Sequence, residues 1–178
     1  MKTAPNFLTA SLLASFLALS GTAAFAQSDA PNDAQIAAIV VAANTVDINA
    51  GELAKKKSKN ADVKAFAQRM VTDHTGVNTQ AVALVTKLHV TPESNATSKS
   101  LTDGGAATLK RLDALNGKAF DKAYVDNEVA YHQAVLDAID KVLLPNAKNA
   151  ELKDLITKVR PAFVDHLEHA KHMQASMK

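Results

Sequence analysis

Between Val63 and Leu88 the chain repeats one pattern without a break: Val63, Ala67, Met70, His74, Val77, Ala81, Leu84 and Leu88, in steps that alternate four and three. That spacing serves one face of an α-helix and no face of a strand, where alternate residues would have to be apolar. A helix with a single apolar face must bury it against other helices. Three more segments carry the same signal. The first runs from Asn32 or Asp33 to about Lys57, with Ile36, Val40, Ala43, Asp47, Ala50 and Ala54 on its stripe. The third runs from about Lys118 to Leu143, with Asp121, Val125, Glu128, His132, Val135, Ile139 and Val142. The fourth runs from Asn149 almost to the C-terminus, with Leu152, Ile156, Val159, Phe163, His166, Ala170 and Met173.

The ends of these segments are marked. Asn32 with Gln35 reads as a capping box, and Asn60 caps the second helix. Ser58-Lys59-Asn60 and the region of Pro145 are tight turns that make their flanking helices antiparallel neighbours. Thr91 to Gly117 is long and polar, broken by Pro92 and Gly104-Gly105, with at most a short helix over Ala106 to Leu115. A bundle with one long middle connection is what a crossover topology requires. The fold expected is therefore all-α: a ferritin-like four-helix bundle with a long crossover between the second and third helices. Pro161 removes one backbone hydrogen bond inside the fourth helix and is expected to bend it one turn before His166.

The first 26 residues read differently. Lys2 opens a short basic start, Phe7 to Leu19 is apolar, and Ala24-Phe25-Ala26 supplies a small-x-small site before Gln27. This is the pattern of a secretory signal peptide, too short for a membrane span. Cleavage after Ala26 would leave residues 27–178 as one soluble domain in the periplasm, with outer-membrane or envelope association as a further expectation. No later run of about 18 apolar residues occurs, so no transmembrane segment is expected in the mature chain.

Composition narrows the function classes. Removing Lys2 from the 20 basic residues leaves 19 against 18 acidic ones, and no nucleic-acid partner is expected from such a balance. There is no Trp, and aromatics are 4%, too few for stacking platforms. There is no Cys, which excludes disulfides, thiolate metal sites and lipidation at a processed cysteine. No nucleophile elbow, phosphate loop or His-Glu-x-x-His helix is present, so nothing points to a hydrolase.

Several local patterns occur together. Val46-Asp47-x3-Gly51-x-Leu53-Ala54 closes the first helix. Val63-Lys64-x-Phe66-Ala67-x2-Met70-Val71-x-Asp73-His74-x3-Asn78 builds the second. Gly117-x2-Phe120-Asp121-x2-Tyr124 opens the third, with His132 downstream, and Pro161-x4-His166-x3-Ala170 lies in the fourth. Across nearly the whole mature chain this resembles the bacterial family designated domain of unknown function 4142, described as outer-membrane or exported proteins. The resemblance implies a ferritin-like fold and no particular activity. It also implies Glu at the position where this chain has Asp47.

His74, His132 and His166 each interrupt an apolar stripe on a different helix, Asp47 does so on the remaining one, and Glu128 lies one turn from His132. At about 1.5 Å rise per residue, counted from the two tight turns, all five fall within about two turns of one another. Buried alone, each group loses several kcal/mol of hydration. A metal ion satisfies imidazole and carboxylate together, and helical bundles commonly hold such sites. Nitrogen and oxygen donors without thiolate suit Zn, Fe, Mn, Ni or Cu(II). The competing account is a polar network that only sets register. A di-iron oxidoreductase is disfavoured: that chemistry wants Glu-x-x-His on two helices, whereas Val71 and Phe163 stand three residues before His74 and His166.

Other polar groups have plain readings. Asp165, His169 and His172 share an outer helical face, and with His166 and Glu168 nearby they read first as a solvated surface and second as a loose metal site. Lys55 to Lys59 favours a helix C-terminus. Met70 and Met173 belong to the core. The functional expectations are thus an exported bundle that binds a transition metal through Asp47, His74, Glu128, His132 and His166, or a non-catalytic structural or interaction module of the envelope, with a stress-associated role as one form of it.

Overall fold

The computed structural model describes residues 30–177, so the expected leader Met1–Ala26 lies outside the described residues. Four long helices form the bundle: α1 (Asp33–Lys57), α2 (Ala61–Lys87), α4 (Gly117–Ala138) and α6 (Ala150–Ser176). Helix α3 (Ala96–Asp113) fills the crossover, and a π-turn (Ile139–Leu143) followed by the short α5 (Leu144–Asn146) extends α4. Among the described residues there is no strand. The all-α bundle with a long connection between its second and third long helices agrees with the pattern of stripes and turns.

The ends are set by side chains. The Asn32 side-chain oxygen accepts from Gln35 N while the Gln35 side chain accepts from Asn32 N, completing the capping box. The side chains of Asn60 and Asn149 accept from the first-turn amides of α2 and α6. His89 has φ of 53°, and Val90 N and His89 N donate to Val85 O and Thr86 O. Those two bonds make a Schellman closure of α2, which gives His89 a purely structural post. Asp33 reaches across to accept from Lys148 N and Asn149 N, tying the start of α1 to the α5–α6 turn.

Around the bundle axis the contacts run α1–α2, α2–α6, α6–α4 and α4–α1. Every neighbouring pair is antiparallel, because α3 carries the chain back along the outside of α1 before α4 begins. The crossover is the main departure from expectation. Helix α3 begins ten residues earlier than Ala106 and runs straight through Gly104-Gly105. Asn95 and Ser98 form a capping box that starts it. Gly105 holds it close to α1: a Cβ there would lie 2.6 Å from Val46 Cγ2. At Gly104 a Cβ would meet nothing within 4 Å. Gly105→Ala is therefore expected to destabilise by about 1–3 kcal/mol through overpacking, while Gly104→Ala stabilises by up to about 1 kcal/mol through helix propensity. Urea midpoints of the two variants give the comparison. Equal shifts in both would mean that α3 does not seat on Val46.

The π-turn explains a second departure. One extra residue in a turn rotates the rest of the helix, so Val142, expected on the core stripe, is 37% exposed, and Leu143 is buried in its place. Arg160 clamps this turn to α6 through two 2.7 Å bonds to Asp140, directly before Pro161. Pro161 lies inside α6, which continues unbroken around it. Helix α1 is long and apolar enough by composition to cross a membrane. In the bundle its face carries Asn44 and Asp47 into the core, and its apolar residues lie against α2 and α3.

The core has two apolar ends. One gathers Ala54, Phe66, Met70, Phe120, Tyr124 and Met173 near the α1–α2 turn. The other gathers Ile36, Ile39, Val77, Ile139, Ile156 and Leu167. Between them lies a polar layer.

Candidate metal centre

Each long helix contributes to that layer. Asp47 comes from α1, His74 from α2, Glu128 and His132 from α4, and His166 from α6, all nearly or fully buried. The imidazole centroids of His74 and His132 are 5.6 Å apart, and His166 lies 5.3 Å from each. One ligand atom from each of the three histidines falls within 4.8 Å of the others, and the same holds for Asp47, Glu128 and His132. All five residues singled out by sequence converge, and His132 is common to both groups. Asp121, on the same stripe, is buried but joins neither group.

The hydrogen bonds around the layer settle which ring nitrogen is free. His74 Nδ1 donates to Asn44 Oδ1 at 2.7 Å, and Asn44 spends its own amide on Val40 O. His132 Nδ1 donates to the Glu128 main-chain oxygen at 3.0 Å. His166 Nε2 donates to Asp73 Oδ2 at 2.8 Å. In every case the acceptor can take only an N–H, so the opposite nitrogen is the one left bare. Those opposite atoms, His74 Nε2, His132 Nε2 and His166 Nδ1, have no hydrogen-bond partner, and neither do Asp47 Oδ1 and Oδ2 or Glu128 Oε2. Ligating histidines in proteins are oriented in this way, with the distal N–H held by a carbonyl or carboxylate.

Asp47 Oδ2 lies 2.5 Å from His74 Nε2 and 3.6 Å from His132 Nε2. Two lone pairs that close require a cation between or beside them. Burial pushes the Asp47 carboxyl up, but His74 and His132 outweigh it and hold it below the usual carboxylate range. Glu128 moves the other way, well above its ordinary value, through burial and then the Asp47 charge. His132 is lowered by burial, and His166 is lowered to about 4 by burial, against the pull of Asp73.

These directions set the acid–base behaviour of the metal-free fold. Below about pH 6.5 the unfolded chain takes protons on His132 and His166 that the folded chain refuses, down to about 4 for His166, so stability falls on acidification. Glu128 opposes this with one proton held only when folded, which costs stability as pH rises above about 4.5. Two against one leaves a net loss below about 6.5, and above that only the Glu128 cost remains. The urea midpoint in chelator is expected to peak near neutrality, with the alkaline limb flattened in Glu128→Gln. A midpoint that rises steadily from pH 7 to 5 would contradict the buried, neutral histidines.

Two residues in this arrangement have no signal in the stripe pattern. Asn44 sits one residue past Ala43, and Asp73 lies beside His74, about 100° round the helix and half-buried. Asp73 also accepts from Arg69 Nε at 3.3 Å, and Arg69 Nη2 donates to Asp165 at 2.5 Å, forming a chain from His166 to the surface. The outer cluster is thereby dismantled: Asp165 serves Arg69, and His169 stands edge-on to Phe66 at 5.1 Å. In the lysine run, Lys57 pairs with Asp113 and Lys55 with Glu52. On the α3 side a cavity of about 230 Å³ approaches Asp47, bounded by Gly104, Gly105, Asn127 and Tyr131.

No curated protein and no solved structure matches the chain. The model of the family described as Domain of unknown function (DUF4142) matches residues 18–173, which take in α1, α2, α4, α6 as far as Met173, and every residue of the polar layer. The chain belongs to that family.

Proposed function

We propose that this protein binds one divalent transition-metal ion in the core of a ferritin-like bundle, and does so outside the bacterial inner membrane, where its leader would deliver it. The observation that carries the reading is the set of three buried imidazoles, each tied at one nitrogen to an acceptor and bare at the other, gathered within 4.8 Å. A network built only for register would spend its polar atoms on one another. This layer leaves six side-chain atoms of the five residues without a hydrogen bond, although Asp47 Oδ2 stands 2.5 Å from His74 Nε2.

His74, His132 and His166 would hold the ion, with Asp47 reaching it from the side of His74 and His132 and Glu128 beside His132. The 3.6 Å between Asp47 Oδ2 and His132 Nε2 is close to the ~3.4 Å expected of two ligands about 2.1 Å from a tetrahedral ion, and the 2.5 Å between Asp47 Oδ2 and His74 Nε2 would have to open to that spacing on binding. Three neutral nitrogens and one carboxylate suit Zn, Cu(II), Ni or Fe better than Mg or Ca. Such an ion supplies Lewis acidity or, for Cu and Fe, a redox couple. Asn44, the Glu128 carbonyl and Asp73 keep the imidazoles in the ligating tautomer. The two acids, from α1 and α4, do not make the pair of Glu-x-x-His motifs of a di-iron centre, so storage, delivery or sensing of a single ion is the function this layer suits.

Cobalt(II) added to the metal-free protein is expected to give a visible spectrum at about one equivalent, held below pH 6.5 and lost as pH falls toward about 4, where the His166 imidazole protonates in the folded chain. Asp73→Ala, which frees the distal N–H of His166, is expected to weaken binding by about 10–100-fold without removing a ligand. A colourless titration, or an unchanged affinity in Asp73→Ala, counts against the site as drawn.

A further inference from the structure

The apolar end of the core remote from the α1–α2 turn is not filled. A cavity of about 120 Å³ lies there, walled by Ile39, Val77, Ile139, Leu143, Ile156 and Phe163. An engineered void of roughly 150 Å³ with similar walls takes up benzene. The few polar groups at this cavity are already engaged. Asn44 gives its carbonyl to His74 and its amide to Val40 O, and the Tyr131 hydroxyl donates to Ala43 O at 2.8 Å. Thr97 stands exposed at the rim. No donor or acceptor remains inside for a charged or strongly polar guest, whose desolvation would go uncompensated.

Two features point to a ligand rather than a packing fault. The π-turn forms part of the wall through Ile139 and Leu143, and π-turns within α-helices occur frequently at functional sites. Phe163 separates the cavity from the histidine layer, and its ring lies parallel to His74, 9° between planes and 5.0 Å between centroids. We infer that this cavity binds an uncharged apolar molecule of about one aromatic ring in size, seated against Phe163 and Asn44. Both of those residues touch His74, so the guest lies one side chain away from the polar layer. The inference does not depend on metal binding, and its test uses metal-free protein.

Benzene is the probe, with benzoate as the charged control, followed by methyl carbon-13 NMR and thermal melting in chelator. Benzene is expected to shift the methyl resonances of Ile39, Val77 and Ile156 selectively and to raise the melting temperature; benzoate should do neither. Ala138 lines the cavity and is half-buried, so Ala138→Leu should fill it and abolish the benzene response. Should that variant fail to fold, the location of the wild-type methyl shifts decides. No response at benzene saturation, an equal response to benzoate, or a response that survives in a folded Ala138→Leu would each overturn the inference.

Discussion

His74→Leu is expected to destabilise the metal-free protein by about 3–5 kcal/mol, the cost of leaving a buried carboxylate without its partner. The variant removes the imidazole that meets Asp47 Oδ2 at 2.5 Å and leaves a carboxylate with no solvent contact. It also strands Asn44 Oδ1, which has His74 as its partner. Changing Asp47 to Leu as well removes the uncompensated charge. Replacing a buried pair with apolar residues of similar volume is often neutral or stabilising. Most of the loss in His74→Leu should thus be recovered in the double variant, and urea unfolding of both single variants and the double gives the coupling directly. Additive losses would mean that Asp47 and His74 do not act as a pair.

That experiment also bears on why the layer is there. A pair that stabilises less than two leucines would is kept for something other than stability. The stripes point the same way, since each of the four could have continued with aliphatic residues at 47, 74, 132 and 166.

The bundle was legible because its signals are local. Asn32 with Gln35, Asn60 and Asn149 mark helix starts by hydrogen bonds that span three residues, and the four-three spacing marks the buried faces. The layer was legible for the same reason: a polar residue on an apolar stripe needs no tertiary information to stand out. What stayed hidden depends on neighbours distant in sequence. Gly104-Gly105 reads as a breaker, but Gly105 is the residue that lets α3 rest on Val46, and that contact outweighs its poor helix propensity. The Asn95–Ser98 box lacks the Glu or Gln that usually advertises one. The π-turn shifts the stripe from Val142 to Leu143, which no period of 3.6 anticipates. Asp73 was invisible as a site residue because it lies off the seam; only the fold shows that His166, 93 positions later, donates to it.

Metal binding is the central claim, and its direct measurement is the melting of metal-free protein with and without added ions. An ion bound only to the folded state stabilises by RT ln(1 + [L]/Kd), about 2.7 kcal/mol at 100-fold excess over Kd and about 4.1 at 1,000-fold. For a domain of about 150 residues each kcal/mol moves the midpoint by roughly 2–4 °C or somewhat more. His166→Ala removes one of the three converging imidazoles and should abolish most of the gain, while His172→Ala, exposed on the outer face of α6, should keep it. The account predicts that Zn, Cu, Ni or Fe(II) raises the melting temperature of the wild type and of His172→Ala, that chelator reverses the rise, and that His166→Ala shows little of either effect. Identical wild-type melts in chelator and in each of the four ions would contradict it and leave the polar layer as a device for bundle register alone.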